Sequence, residues 1–525
     1  MPSLWLSLIP VLFLIAGLLS VVWISGEDAT SGPSQVVLIL AGFFAGLLSL
    51  AHGLYRARED GKDAVDSHGM NEAVSGGVNA KVPADRDYPD SSALHPFTLA
   101  GGWKKLENSI LNTITEVLPA ILILLLIGAL IGVWILSGVV PALIVWGIAL
   151  LNPSIFFFSA CILAALVSLV TGSSWSTAGT VGVALVGVGQ ALGMDPAMTA
   201  GAVVSGAYFG DKMSPFSETT NLAASMAGVD LFAHIRNMVY TTAPALLLSL
   251  IVYLGLGYSG QSVASPDQLR KTVETLETVF WIHPVLLLVP ALTFLMIYKR
   301  VPAIPAILTG TIMGSAFAAL FQQPALQWLD QKGMVGAILE AASNGLTFRT
   351  EDVAVNKLIN RGGMSSMLTT IWLILSAMFF AGTMEGSGMI QSIASSVLKR
   401  IKTAGGLVTG TILGGIFANV VTSEQYLSIV INGRFFREAY QKRNLSALTL
   451  SRSLEDSGTL TSALVPWNTC GAFMAATLQT PVVLFAPFAF LNWITPLIAL
   501  SYAWSGRFLG HRTEPSSQKS NLQKN

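Results

Sequence analysis

The sequence predicts an all-α integral membrane protein whose chain crosses the bilayer many times. Apolar residues make up 52% of the 525 residues and charged residues only 11%, and this low charged fraction is not typical of water-soluble domains. Ten apolar runs also approach or exceed the length of about 20 residues that a helix needs to cross a bilayer. The runs are 4–24, 34–54, 117–136, 154–170, 237–258, 280–298, 302–321, 366–384, 404–420 and 482–504.

Changes in composition divide the chain into six segments. The long polar stretch after the second apolar run is charged and rich in Gly, Ala and Asp, without a periodic apolar face, which is typical of a flexible linker. We assign two N-terminal membrane helices to 1–55, a cytoplasmic polar linker to 56–105, a first repeat to 106–260, a connecting helix pair and loop to 261–344, a second repeat to 345–505 and a cytoplasmic tail to 506–525.

The two repeats are indicated by short matches at a nearly constant distance of about 250 residues. Each match is weak alone, but five occur in the same order. The matched pairs are Gly132–Gly138 with Gly382–Gly388, Thr171–Ser173 with Thr422–Glu424, Asp211 with Asp456, Asn221 with Asn468, and Thr242–Pro244 with Thr495–Pro496.

The positions of Lys and Arg residues give the orientation of these repeats, because basic residues mark cytoplasmic connections. They cluster near 56–58, 104–105, 299–300, 399–402 and 434–443, which places both termini in the cytoplasm. The first repeat then starts on the cytoplasmic side and the second on the outside. Inverted repeats with interrupted helices are typical of secondary transporters with a site near the midplane. The predicted fold is therefore a polytopic helical transporter with two inverted-topology repeats, broken helices and re-entrant hairpins.

Four polar segments, 170–179, 205–221, 419–428 and 451–469, interrupt the apolar sequence. Glycine lets the backbone leave helical geometry, which frees carbonyl groups and exposes helix ends. Carbonyl and hydroxyl oxygens together with a carboxylate are the ligands that a hard cation such as Na⁺ prefers. The alternative is that these small residues only let helices pack closely.

The carboxylates of these segments are candidates for coupling Na⁺ to protons. We expect Asp211 and Asp456 to occupy equivalent positions and to form the titratable pair, because a carboxylate that binds either a proton or Na⁺ gives exchange by mutual exclusion. Purely structural alternatives are a pair between Asp456 and Arg452, and one between Asp211 and Lys212. The full candidate set for ion binding and proton coupling is Asp211, Asp456, Glu218, Glu424, Ser214, Thr220, Asn221, Thr459, Asn468, Thr171, Ser173, Ser174, Thr422 and Ser423.

Other classes of function lack their motifs in this sequence. It contains no GxxxxGK[ST] loop, no HExxH, no CxxC pair and no GxSxG, so we expect no catalytic residues, no cofactor and no enzyme activity. Its net charge of zero gives no reason to expect a nucleic-acid partner. The expected partners are the transported ions and the lipid bilayer, with a homodimer as one candidate assembly.

The polar motifs resemble the NhaC-type Na⁺/H⁺ antiporter family of the ion-transporter superfamily. The resemblance lies in Gly206–Pro215 with Ser217–Ala223, in Leu454–Ser462 with Pro466–Gly471, and in Thr171–Thr177 and Thr422–Leu427, and it covers about 106–505. Two positions depart from the family pattern, since Glu218 and Glu424 stand where we expect Asp in many members.

The resemblance implies a secondary active antiporter of the bacterial inner membrane. It would exchange cytoplasmic Na⁺, with Li⁺ as a second candidate, for external H⁺, and so serve sodium extrusion and pH homeostasis. Asp211 and Asp456 would be the carboxylates at the Na⁺ site. The alternative within the same family is coupled exchange of carboxylate metabolites such as malate and lactate, which Arg452 or Lys212 would favour by facing the cavity. A passive ion channel is a third hypothesis.

Overall fold

The computed structural model describes residues 2–25, 32–74, 98–258, 264–329 and 333–510, and within these ranges it is helical without a β-strand. Eight of the described helices are long and apolar enough to cross a membrane. Two further helix pairs, bent by 85° and 90° at a break, raise the number to ten when each pair is counted as one span. The prediction of an all-α polytopic membrane protein is confirmed.

The first half of the chain contains α1 (Leu4–Ser25), α2 (Pro33–Val74), α3 (Leu99–Leu136), α4 (Val139–Leu150), α5 (Phe156–Thr171), α6 (Ser174–Thr177), α7 (Val183–Ala191), α8 (Pro196–Met213), α9 (Glu218–Ala227) and α10 (Leu231–Tyr258). The connecting part contains α11 (Pro266–Val279), α12 (Leu288–Tyr298), α13 (Ala303–Phe321), α14 (Met334–Ser343) and α15 (Val353–Ile359). The last part contains α16 (Leu368–Gly386), α17 (Met389–Arg400), α18 (Ala404–Val421), α19 (Gln425–Lys442), α20 (Ala447–Leu454), α21 (Leu460–Ser462), α22 (Thr469–Leu478), α23 (Val482–Phe485) and α24 (Phe490–Ser505).

Two predicted spans are not single helices. The run 482–504 divides into α23, a 3₁₀ turn at Ala486–Phe488 and α24. Pro487 lies in that turn, where its missing N–H weakens the helical hydrogen bonding. In the run 280–298, residues 280–283 are not helical, and a 3₁₀ turn at Pro284–Leu287 leads into α12.

Helix also extends into both ends of the predicted linker. The helix α2 continues past residue 56 to Val74, and α3 already begins at Leu99, six residues before the predicted end of the linker at 105. Thr98 explains this early start, since its hydroxyl caps α3 by accepting a hydrogen bond from the Gly101 N–H at 3.1 Å. The rest of the predicted linker, 75–97, lies outside the described residues.

Several elements of the first repeat recur in the second with the same length. The helices α4 and α17 have 12 residues each and follow Gly138 and Gly388, whose φ angles are +78° and +74°. The helices α9 and α22 have ten residues each and end at Gly228 and Gln479, which also have positive φ. These pairs stand 250 or 251 residues apart, which is the spacing of the matches in the sequence. The opposite orientation of the two halves stays a prediction.

This register corrects two of the matches made from the sequence. At a spacing of 251, Asp211 corresponds to Ser462, and Asp456 corresponds to Ser205. Asn468 is the N-cap of α22, as Ser217 is the N-cap of α9, so Asn468 is not the counterpart of Asn221. The two aspartates are therefore not equivalent, because similar polar motifs lie at different depths of their helices.

Close packing of α5 against α8 holds the first polar segment in place. A Cβ atom at Gly206 would lie 2.1 Å from the Cys161 carbonyl oxygen, and one at Gly210 would lie 2.3 Å from the Leu169 nitrogen. Ser168 Oγ also donates a hydrogen bond to the Ala207 carbonyl oxygen across this contact at 2.5 Å. Small residues four positions apart allow such an approach of two membrane helices.

We predict that Gly206→Ala destabilises the protein by about 1–3 kcal/mol, because the added methyl group meets backbone atoms that cannot move aside. Gly255→Ala is the matched control, since a Cβ at Gly255 of α10 has no neighbour within 4 Å. Thermal melting of both variants in detergent, followed by size-exclusion chromatography, measures the difference. Equal melting temperatures for the two variants would contradict the close α5–α8 contact.

Candidate functional site

The first break in the helices lies between α5 and α6. The helix α5 ends at Thr171, and Gly172 turns the chain with φ +70°, a conformation that favours glycine. Ser173 then caps α6, accepting a hydrogen bond from the Ser176 N–H at 3.2 Å. The chain continues through a π-helical turn at Ala178–Gly182 into α7.

The second break, between α18 and α19, repeats this backbone path 251 residues later. Ser423 takes the place of Gly172 with φ +57°, and Glu424 takes the place of Ser173 as the N-cap. The Glu424 side chain accepts a hydrogen bond from the Leu427 N–H at 3.0 Å. A non-glycine residue in the left-handed region costs about 1–2 kcal/mol. Strain of this kind persists where surrounding structure fixes it, and functional sites are a common place for it.

A cavity of about 740 Å³ is lined by both breaks and reaches the turn between α12 and α13. Among the described residues that line it, four carry carboxyl groups and one carries a guanidinium group. These residues are Glu116, Asp211, Glu218, Glu424 and Arg300. Fixed negative charge in a low-dielectric cleft attracts cations, so the cavity suits a positively charged substrate.

Asp211 reaches this cavity from the last turn of α8. Its Oδ2 atom accepts hydrogen bonds from Ser174 Oγ at 2.7 Å and from the Ser174 N–H at 3.2 Å, which ties α8 to the first turn of α6. At the equivalent place in the second repeat, Ser462 Oγ donates to Gln425 Oε1 at 2.8 Å. A contact is present at the same position in both halves, but it includes a carboxyl group only in the first half, where Asp211 meets Ser174.

Asp456 is absent from the described lining of the cavity. It lies in a π-helical turn, Glu455–Thr459, where it forms an ion pair with Lys212 and accepts a hydrogen bond from Thr241 Oγ1 at 3.0 Å. The side chains of Lys212 and Asp456 are fully buried. The prediction that Asp211 and Asp456 form a symmetric pair facing the cavity is therefore wrong.

The two local ion pairs that we considered as structural alternatives are wrong as well. Lys212 pairs with Asp456 instead of the adjacent Asp211. Arg452 acts electrostatically on Asp456 four residues later without forming an ion pair with it, and its Nη2 donates to the Phe508 carbonyl oxygen at 2.8 Å. Lys212 is thus the cation that joins α8 to the π-helical turn of the second repeat.

Half of the fourteen candidate residues line the cavity: Thr171, Ser173, Ser174, Asp211, Glu218, Asn221 and Glu424. The other seven are buried outside this lining, and some of them hydrogen-bond to the backbone. Thr220 Oγ1 donates to the Lys212 carbonyl at 3.0 Å, and Asn468 Nδ2 donates to the Asn419 carbonyl at 3.2 Å. The seven buried residues are Ser214, Thr220, Thr422, Ser423, Asp456, Thr459 and Asn468.

The structure adds cavity residues that the sequence analysis missed. Glu116 lies well inside α3, which begins at Leu99, and it faces the cavity. Tyr426 donates its hydroxyl to Glu218 Oε2 at 2.6 Å. Arg300 stands 4.4 Å from the centre of the Phe216 ring. An acid inside a long apolar helix was the signal for Glu116, since such residues rarely face lipid.

No cluster of three or more His, Cys, Asp or Glu side chains arranged for a metal ion occurs in the described parts of the chain. The lining instead offers single carboxylates beside hydroxyl groups, such as Asp211 with Ser174. Oxygen ligands of this kind suit a weakly held, exchangeable hard cation.

Comparison with known proteins assigns the family. Residues 206–507 match the model of the Na⁺/H⁺ antiporter family. The Na⁺/H⁺ antiporter NhaC of Alkalihalophilus pseudofirmus is 38% identical over 78% of this chain and 87% of its own length. The chain belongs to the NhaC-type Na⁺/H⁺ antiporter family.

Two proteins of Bacillus subtilis show the range of relatives of this NhaC-type chain. Its Na⁺/H⁺ antiporter NhaC is 40% identical over 76% of this chain and 86% of the relative. Its malate-2H⁺/Na⁺-lactate antiporter is 34% identical over 78% of this chain and 86% of the relative. Relatives named for ion exchange and for metabolite exchange are therefore both similar to this chain.

In this NhaC-type protein we predict that Asp456→Asn and Lys212→Gln each destabilise the fold by about 3–5 kcal/mol, because each leaves a buried partner without its counter-charge. The double variant should be more stable than the sum of the two losses implies. Thermal melting in detergent measures this coupling. The exposed Glu438–Lys442 pair of α19, treated in the same way, serves as control and should show little coupling. Strict additivity at Lys212 and Asp456 would contradict the ion pair.

Proposed function

We propose that this protein is a secondary active antiporter that exchanges Na⁺, with Li⁺ as a second cation, for H⁺ across a bacterial membrane. The observation that carries the proposal is the Asp211 carboxylate, which faces a cavity at the broken helices and is held there by Ser174. The names of the two NhaC relatives support the same activity. Transport requires no chemical change of the substrate, so we propose no enzymatic reaction.

The proposed Na⁺ site consists of Asp211 and hydroxyl groups around the first break. Ser173, Ser174 and Thr171 line the cavity beside Asp211 and offer neutral oxygen ligands. Asp456 is not included, because Lys212 already neutralises it in a buried ion pair. Glu424, the N-cap of α19, faces the same cavity from the second break and adds negative charge.

Exchange follows when Na⁺ and a proton compete for the negative charge of this cavity. If protonation lowers the affinity for Na⁺, binding of Na⁺ lowers the affinity for the proton by the same factor. The cavity reaches the α12–α13 turn, which carries Lys299 and Arg300 and which basic-residue placement assigns to the cytoplasm. We propose that the site is open to the cytoplasmic side in this structure. We also propose that both termini are cytoplasmic and that the two halves have inverted topology.

The charge of the cavity favours a cation over an organic anion. Exchange of malate and lactate would call for a basic side chain at the site, and the described lining includes neither Lys212 nor Arg452. Arg300 is the basic residue that does line the cavity, and it lies at the α12–α13 turn over Phe216 rather than beside Asp211. Four carboxyl groups face it from the same cavity.

We predict that Asp211→Asn lowers Na⁺-driven proton movement at least about tenfold, because the neutral amide removes the charge that binds the cation, worth about 1.4 kcal/mol for each factor of ten. Proteoliposomes loaded with a pH-sensitive dye, given Na⁺, Li⁺, K⁺ or malate in parallel, measure the effect. Glu274→Gln, at an exposed position of α11, is the control and should behave as wild type.

Two results would argue against the proposal. Wild-type protein that takes up labelled malate but moves no protons in response to Na⁺ would favour metabolite exchange. Asp211→Asn with unchanged Na⁺-driven proton movement would remove Asp211 from the Na⁺ site. Saturable flux that depends on the counter-ion separates either exchanger from a passive channel.

A further inference from the structure

Glu455 is a buried acid that the proposed exchange has not yet used. It precedes Asp456 in the π-helical turn between α20 and α21, and its exposed fraction is 0%. No group in the described chain donates a hydrogen bond to either of its carboxyl oxygens. A carboxylate ion so placed would lose several kcal/mol of hydration without compensation. The neutral, protonated acid avoids that loss.

The cations nearest to Glu455 are engaged with other groups. Lys212 of α8 also acts on Glu455 electrostatically, but its ammonium group is paired with Asp456. Arg452 of α20 is directed to the Phe508 carbonyl oxygen. Asp211, also on α8, adds negative charge that opposes a second anion. Lys212 is paired with Asp456, and Arg452 acts electrostatically on Asp456 as well, so neither cation donates a hydrogen bond to Glu455. The protonated form of Glu455 therefore avoids a buried charge without a counter-ion of its own.

Among the described helices packed against this turn, α18, α19 and α24 bring no charged side chain to it. The helix α18 contains no titratable side chain, and α19 meets the turn at Ser428 and Ile429. His234 of α10 faces the Lys212 side of the cluster. The helix α9 contributes the Thr219 hydroxyl beside Glu455.

Thr219 also connects Glu455 to the cavity. Its side chain lines the cavity that contains Asp211, while its hydroxyl lies beside the Glu455 carboxyl group. The Thr459 hydroxyl also lies near this carboxyl group, and its oxygen has no hydrogen-bond partner among the described residues. One hydroxyl side chain therefore separates a buried acidic proton from the cavity.

We propose that Glu455 carries the exchanged proton and that its charge is coupled to Na⁺ at Asp211; this rests on the proposed antiport. When Na⁺ neutralises Asp211, the opposing charge near Glu455 is removed. The Glu455 O–H bond then breaks, and the proton passes by way of Thr219 to water in the cavity. Lys212 becomes shared between the Asp456 and Glu455 carboxylates. Departure of Na⁺ reverses each step, so one proton leaves for each Na⁺ bound.

The sign of this coupling is that of an antiporter. An empty, negatively charged Asp211 holds the proton on Glu455, and an ionised Glu455 attracts Na⁺ to Asp211. Each ion therefore weakens the binding of the other, by the same factor in both directions. The π-helical geometry fits such a role, since single π-turns within α-helices occur frequently at functional sites.

The test is Glu455→Gln, which keeps the shape of the protonated side chain and cannot release a proton. We expect Na⁺-driven proton movement in proteoliposomes to fall at least about tenfold, while exchange of labelled Na⁺ for Na⁺ at equal pH persists within about twofold. Calorimetry of Na⁺ binding in buffers of different ionisation enthalpy should show proton release in wild type and none in the variant. Glu438→Gln, exposed on α19, is the matched control and should match wild type in all three assays.

The outcomes separate this inference from the proposed function. Wild-type proton movement in Glu455→Gln overturns the role of Glu455 and leaves the antiport intact. Loss of Na⁺ self-exchange together with proton movement, in a monodisperse variant, also overturns it, because Glu455 would then serve Na⁺ binding.

If Glu455→Gln does not fold, infrared difference spectra of wild type and Glu455→Asp replace it. Na⁺ should remove the band of a protonated carboxyl group, at a frequency that shifts in Glu455→Asp, and an unchanged band in either protein overturns the inference. Absence of Na⁺-driven proton movement in wild type contradicts the antiport itself.

Discussion

The ion pair between Lys212 and Asp456 is the interaction on which the arrangement of the site depends. A lysine at full burial among membrane helices has to be neutralised by the protein itself, since neither lipid nor bulk water can do so. The pair joins the last turn of α8 in the first repeat to the π-helical turn in the second. Because Asp211 is the residue next to Lys212, the same contact fixes where Asp211 meets the cavity. The ion pair therefore determines both the position of Asp211 and the charge of the groups around it.

The duplicated backbone carries two different sets of side chains. Gly172 and Ser423 make the same turn, and the caps that follow are Ser173 in one half and Glu424 in the other. The contact of Asp211 with Ser174 becomes a contact of Ser462 with Gln425. Backbone geometry tolerates such changes, because the left-handed turn and the N-cap require conformations rather than a particular charge. An asymmetric ion site can therefore be built on a repeated scaffold.

This asymmetry also explains which parts of the molecule could be predicted. Apolar runs gave most spans, and glycine beside hydroxyl residues at Thr171–Ser174 gave the first helix break, since both depend on local chemistry. The register between the halves depends on caps such as Ser217 and Asn468, which are short polar residues that also occur elsewhere in the motifs. The partner of Lys212 could not be inferred, because it lies 244 residues away and its approach is set by the packing of several helices. The burial of Glu455 next to Asp456 could not be inferred either, because it too is set by the packing of several helices.

The charges then impose an order on the events of transport. The cavity presents four carboxyl groups among its described residues, so a cation entering from the α12–α13 turn is attracted before it contacts a ligand. At Asp211 it meets a carboxylate whose second neighbour, behind Thr219, is an acid without a counter-ion of its own. In the proposed exchange, a cation at Asp211 makes the loss of the Glu455 proton favourable, because it removes the negative charge that opposes ionisation of Glu455. Exchange of one ion for another is thus the response that keeps the charge of this buried cluster constant.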